Sequence, residues 1–176
     1  MITSSIENFE RTLRQGLTLL GLRSRHRKKA ERMVPGDRLL LFVTGSDCFT
    51  ATATVASAYF EDHSPIWINR ESRQDDYPWR VRLRPNLVLE PSDYLDGHQI
   101  APRLLYVKRW PPELWQLAFQ GQVHLLSAQD FRLVEHEMER ILGSRSARQD
   151  RGESEASFRP EETPPLWVDG PGAPRV

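Results

Sequence analysis

Apolar positions follow three different rhythms along this chain. Near the start, "ITS" is a short apolar segment. After it, Ile6, Phe9 and Leu13 recur at helical spacing. Ser4 stands three residues before Glu7, the spacing of a capping box, and Gly16 is the expected stop. "VPGD" then predicts a turn into "RLLLFVTG", whose continuous apolar run predicts a central strand. "SDCF" reads as a loop. "TATATVASAYF" is rich in β-branched and aromatic residues and predicts a second strand. "EDHSPIWINRESRQDD" reads as a long loop. "YPWRVRLRPNLVLE" alternates with period two and predicts a third strand, bent at Pro85. In it Trp79, Val81 and Leu83 share one face, and Arg80, Arg82 and Arg84 the other.

Two helices follow. "PPELWQLAF" opens with proline, which a first helical turn tolerates. "SAQDFRLVEHEMERILG" carries Ser127 and Asp130 at capping-box spacing, an apolar stripe of Phe131, Val134, Met138, Ile141 and Leu142, and Gly143 as its stop. Residues 144–176 have five prolines, mixed charge and no apolar period, which predicts a disordered tail with "PPLWV" as its one apolar spot. The pattern as a whole predicts an α+β fold, mostly β: a small twisted sheet closed into a barrel with helices around it.

Composition narrows the class. The 176 residues suit one domain plus extras, and 39% hydrophobic with 27% charged residues reads as soluble and globular. No apolar run approaches the ~20 residues of a membrane helix. The first ten residues lack the features of a signal peptide, so the expected compartment is the cytoplasm, without membrane contact. Cys48 is the sole cysteine, which excludes an internal disulfide and thiol-based metal sites. The five histidines show no metal-ligand spacing, and no nucleotide or hydrolase motif occurs. No metal, cofactor or catalytic residue is therefore expected. Cys48 with His63 is the one pair that a hydrolase reading could use.

The 24 basic and 24 acidic residues cancel, so bulk charge does not argue for nucleic acid. Local charge does. Arg23, Arg25, Arg27, Lys28, Lys29 and Arg32 crowd ten residues. Such a run either neutralises phosphates or forms a solvated face. All but three of the bases are arginine, whose planar fork suits phosphate and base edges, although a GC-rich genome gives the same bias. Tyr59, Phe60, Trp67, Tyr77 and Trp79 flank one loop. Trp67 follows "SP" in a polar setting with no evident packing duty, and a loop aromatic beside a small barrel can stack on a nucleobase.

"ITSSIENFERT", "KKAERMVPGDRLLLFVTG", "FTATATVASAYFEDHSPIW", "DYPWRVRLRP", "KRWPPELWQLAFQG" and "LSAQDF" occur in this order. Together they resemble the EVE domain family, of PUA-like fold, over residues 1–143. The resemblance implies a mostly β pseudo-barrel and binding rather than catalysis. EVE domains are thought to read modified bases in DNA or RNA, and the related YTH domains hold N6-methyladenine in an aromatic cage. "SIENFERTL" is similar to the segment that sets polar side chains against the base edge, which implies that role for Ser4 and Asn8. "VASAYFEDHSPIW" is similar to the stretch ending in a cage tryptophan, which implies Trp67. Tyr77 and Trp79 complete the aromatic candidates, and Arg23, Arg25, Arg27, Lys28 and Lys29 are the phosphate candidates.

"RQGLTLLGLRSR" departs from the YTH pattern, with no aromatic where a second cage tryptophan would stand. Only Met1 precedes "ITS", where EVE sequences carry a tryptophan-containing strand. The first strand is therefore expected to be short, or the chain to begin further upstream. The expected function is a non-catalytic module binding DNA or RNA with a modified base. The competing readings are a protein-interaction or small-ligand accessory module on the same fold, and the Cys48 hydrolase.

Overall fold

A computed structural model describes residues 1–67 and 77–157. Among these residues seven strands form one mixed sheet: β1 (Ile2–Ser5), β2 (Leu19–Leu22), β3 (Arg38–Thr44), β4 (Cys48–Val55), β5 (Phe60–Glu61), β6 (Trp79–Val88) and β7 (Leu95–Asp96). Its main path runs β1-β3-β4-β6-β2, with β1 parallel to β3 and the other pairs antiparallel. β4 lies along the second half of β6. After the break at residues 56–59, β5 continues along the first half, opposite β2.

β3 explains its own sequence. Leu39, Leu41 and Val43 enter one buried cluster, with Ile2, Phe9, Leu20, Leu22, Val81 and Leu83. Leu40 and Phe42 enter another, with Phe49, Leu104, Trp115, Phe119, Val134 and Met138. A strand covered on both faces must be apolar at every position, which produces the unbroken run. A register shift after Leu41 turns Phe49 of β4 towards the second cluster while Ala51 and Ala53 stay in the first. Phe119 stacks on Phe42 there, at 4.6 Å between centroids. On β6 a second shift brings Pro85 opposite Ala53 and Leu87 opposite Thr52, the bend expected at the proline.

The helices are α1 (Ile6–Arg14), α2 (Arg27–Ala30), α3 (Gly97–Ile100) and α4 (Ala128–Ser157). Several local expectations change. The cap of α1 is Ser5, not Ser4: its Oγ accepts the Asn8 N–H at 3.4 Å. Ser4 instead belongs to β1, in register with Val43. β2 lies in a stretch without a clear period. Cys48 starts β4 rather than sitting in a loop, and β4 ends at Val55, before "ASAYF". Residues 112–119 form a 3₁₀ segment with a kink at Leu114, not an α-helix. Ser127 caps α4 as expected, at 3.0 Å from the Asp130 N–H. Asp130 does not reach back; its buried carboxylate accepts the Leu105 and Tyr106 N–H groups at 2.8 and 2.9 Å.

α4 does not stop at Gly143 but runs on to Ser157, into the segment expected to be disordered. "PPLWV" lies outside the described residues. Residues Met1–Gly143 form one compact unit.

The arginine face of β6 also differs. Arg82 and Arg84 are exposed, but Arg80 is 1% exposed. A period-two pattern reports which face a side chain is on, not what covers that face. Residues 62–64 cover Arg80.

Candidate functional site

β1 and α1 meet along one side of a cavity of about 680 Å³. Ser5 ends the strand and caps the helix, so Thr3, Ser4, Asn8 and Thr12 all come to the cavity wall within two helical turns. Trp67 and Tyr77 form the aromatic side, ring edge to ring face at 4.9 Å between centroids. Arg23 and Arg25 follow β2 and supply a basic side, while Glu7 and Asp47 add acidic groups. Phe119 to Gln122 complete the wall.

Trp67 is not idle in its loop. Its indole N–H donates to Thr12 Oγ1 at 3.0 Å, and the Thr12 hydroxyl donates to the Asn8 carbonyl at 2.9 Å. The aromatic wall is thereby tied to the helix that bears Asn8. Such a chain orients a ring better than apolar packing alone, because hydrogen bonds are directional.

Gln122 joins the two edge strands. Its carbonyl accepts the Thr3 N–H of β1 at 3.0 Å. Its side chain serves the other edge: Oε1 accepts the Arg23 N–H at 3.0 Å, and Nε2 donates to the Gly21 carbonyl at 3.0 Å. A side-chain amide presents an N–H donor and a carbonyl acceptor on one side, as the N–H and C=O of a single strand residue do, so it can stand in for a missing strand. The sheet curls into a half-barrel whose seam this residue spans.

Of the predicted site residues, Ser4, Asn8, Trp67, Tyr77, Arg23 and Arg25 share this one cavity. Trp79 does not line it. Trp79 packs in the core, donates its indole N–H to the Ser24 carbonyl at 2.9 Å and carries Arg27 over its ring at 5.1 Å. Arg27 also pairs with Glu31 at 2.9 Å. Lys29 donates to the Val123 carbonyl at 2.8 Å, and Lys28 is exposed.

His26 sits among these bases. Burial pushes its pKa down to about 4, helped by Lys29, Arg25, Arg23 and His124. Burial also lowers His124, whose Nδ1 lies 2.9 Å from the Tyr106 hydroxyl. Cations crowded in this way favour an incoming anion.

The residues for the hydrolase reading do not gain activation. Burial raises the Cys48 thiol pKa, Asp96 and Asp47 adding to it, and its S–H points to the Ser46 carbonyl at 3.1 Å. His63 pairs with Glu61 at 2.9 Å on an exposed loop. Among the described residues no cluster of three potential metal ligands occurs, and no helix is long and apolar enough to cross a membrane.

Sequence reasoning missed Gln122, Thr12 and Gly21. A glutamine in "QGQVH" carries no signal of a seam, whereas a glycine inside the apolar "LLGL" could have been read as a close approach.

This curled half-barrel with a cavity at its α1 edge defines a PUA-like fold. The EVE domain family profile matches residues 2–141, and the chain belongs to that family. Solved YTH structures are among those to which this structure is similar. One is the YTH domain of Zygosaccharomyces rouxii MRB1 protein in complex with N6-methyladenosine RNA, at 15% identity and TM-score 0.55, covering 78% of this chain and 83% of that one. Another is the YTH domain-containing protein mmi1 in an RNA complex, at 11% identity and TM-score 0.54, covering 80% and 84%. The third is an Mmi1 YTH domain complex with RNA, at 10% identity and TM-score 0.52, covering 81% and 80%. At such identities the likeness establishes the shared fold. No curated protein matches the sequence.

Proposed function

We propose that the protein is a non-catalytic module that binds DNA or RNA carrying a modified base. The base enters the cavity beside α1. Trp67 and Tyr77 supply its aromatic wall, and Ser4 and Asn8 address its polar edge. Arg23 and Arg25 at the rim, with exposed Lys28 beside them, meet the backbone phosphates. The observation that carries this reading is the convergence of Ser4, Asn8, Trp67 and Tyr77, from three separate segments, on one cavity. Its volume of about 680 Å³ fits a small-molecule or nucleotide site, which typically measures ~300–1,000 Å³. An amide such as that of Asn8 offers a donor and an acceptor to one base edge.

The bound RNAs of the YTH neighbours support the nucleic-acid reading, and the raised Cys48 thiol supports a binding role over a hydrolytic one. The absence of an aromatic in "RQGLTLLGLRSR" leaves one fewer cage wall than YTH domains have, so the modification recognised need not be N6-methyladenine. We place the protein in the cytoplasm.

The test is equilibrium binding of DNA and RNA oligonucleotides, each with and without a single modified base. At least one modified oligonucleotide binds ~10-fold more tightly than its control, or about 1.4 kcal/mol. Equal binding of every modified and unmodified pair contradicts the reading. A free small ligand that binds while every oligonucleotide fails favours the accessory-module alternative.

A further inference from the structure

Arg80 is the largest fully buried side chain among the described residues, and a buried guanidinium requires an explanation. It points away from the barrel interior, into the base of the segment that bears the aromatic wall. Its Nη1 donates to Asp62 Oδ2 at 2.6 Å and to Ser64 Oγ at 2.9 Å. Its Nη2 donates to the Ser64 carbonyl, and its Nε to the Tyr77 carbonyl at 3.2 Å. Asp62 and Ser64 lie just before Trp67; Tyr77 lies where the chain returns to the sheet. One side chain thus holds both feet of the segment that carries the two aromatic residues.

Gly21 supplies a second, independent constraint on the same two feet. A Cβ at this position would stand 2.8 Å from Ile66 Cδ1 and 2.8 Å from Tyr77 Cβ. The neighbour of Trp67 and the body of Tyr77 can both approach β2 only because residue 21 has no side chain. Its carbonyl is meanwhile fixed by Gln122. Arg80 draws the feet together, and Gly21, its register partner on the same face of the sheet, sets how close they come. The rigid fork of arginine suits this task, since lysine reaches several divergent acceptors poorly.

We infer that Arg80 is a positioning residue for the aromatic wall: by clamping the Asp62–Ser64 turn to Tyr77 against the seat at Gly21, it sets where Trp67 and Tyr77 stand and so what the cavity accepts. For recognition this rests on the base-binding reading. For the geometry it does not.

The experiment therefore has two readouts. The first uses the protein without ligand. The indole N–H of Trp67, assigned with Trp67→Phe, is followed by ¹⁵N-resolved NMR and hydrogen exchange, with the indole of Trp115 in the second core as the control for folding. In Arg80→Met and in Gly21→Ala the Trp67 resonance shifts and its exchange speeds up ~10-fold or more, while Trp115 is unchanged. Arg80→Lys does not restore it. Should Arg80→Met lose the fold, Asp62→Asn decides, because it removes the charged partner and leaves an oxygen for the Ser64 N–H, now held at 2.8 Å. An unshifted Trp67 in the folded variants overturns the inference.

The second readout is the ratio of affinities for modified and unmodified oligonucleotides, which falls ~10-fold or more in Arg80→Met. A wall that moves while the ratio is kept overturns the role in recognition. A wild-type protein that never discriminates contradicts the base-binding reading itself, and the Trp67 resonance then still decides the role of Arg80.

Discussion

His26 shows how one residue can report both folding and binding. Its folded pKa, about 4, lies below the ordinary 6.5, first through burial and then through its cationic neighbours. Between these values the unfolded chain binds the extra proton, so folding stability falls as pH drops through the window from about 6.5 to 4. Binding runs the other way. Phosphate beside Lys29, Arg25, Arg23 and His124 favours the protonated ring, so the complex takes up protons and affinity rises as pH falls through the same window. Equilibrium binding at pH 7 and pH 5 checks this; an affinity that stays flat or weakens contradicts it. At this scale the site was partly legible. Trp67 stood out because a tryptophan in a polar loop needs a reason, and Ser4 and Asn8 through the family resemblance. Trp79 shares its face with Val81 and Leu83, so alternation marks it as core although it also flanks the loop, and the core position is the one it takes. Alternation groups Arg80 with Arg82 and Arg84 but does not show its burial, because its partners, Asp62 and Ser64, come from a loop whose path the pattern does not encode.

Gln122 is the test of how the elements are joined. β1 and β2 are the two ends of the main sheet path, and the side-chain amide of Gln122 completes the link between them. Gln122→Leu keeps the bulk but removes the hydrogen bonds that the amide makes to the Gly21 carbonyl and from the Arg23 N–H. Each unsatisfied buried group costs ~1–3 kcal/mol; with partial access to water, a total of about 2 kcal/mol is expected. That is a Tm drop of roughly 4–8 °C for a chain of this size, read by thermal denaturation; an unchanged Tm shows that the seam is held otherwise. Strands β3 and β6 were legible because burial on two faces and on one face leaves different patterns. β2 was not, since "LLGL" is too short for a period and has a ladder on one side only. The turn type of residues 112–119 depends on how Trp115 and Phe119 reach the second core, which local propensity does not specify. Gly143 misled as a stop: it costs ~1 kcal/mol inside a helix relative to alanine but does not forbid one.

The whole molecule has zero net charge, so affinity for nucleic acid has to come from local groups of bases rather than from bulk charge. The fold belongs to the unit Met1–Gly143, whose two clusters include Phe9 and Val81 on one side of the sheet and Val134 and Met138 on the other. We expect residues beyond Arg145 to be dispensable for it. A chain ending there unfolds within ~3 °C of the full length; a loss beyond ~5 °C, roughly 1–2 kcal/mol, contradicts that boundary. The fold class was legible because several motifs agree in order, whereas the cavity was not, because it arises where α1, the Trp67 segment and Gln122 meet across the chain. The cavity, on the function we propose, selects a base. The most direct measurement is the affinity of Trp67→Ala, shown first to fold like the parent, for the preferred modified oligonucleotide and its unmodified control. Loss of the stacking face lowers the modified affinity by ~1–3 kcal/mol, about 5- to 150-fold, and leaves the control, held through its backbone, nearly unchanged. A folded Trp67→Ala protein that keeps the parent's full preference for the modified base contradicts the account.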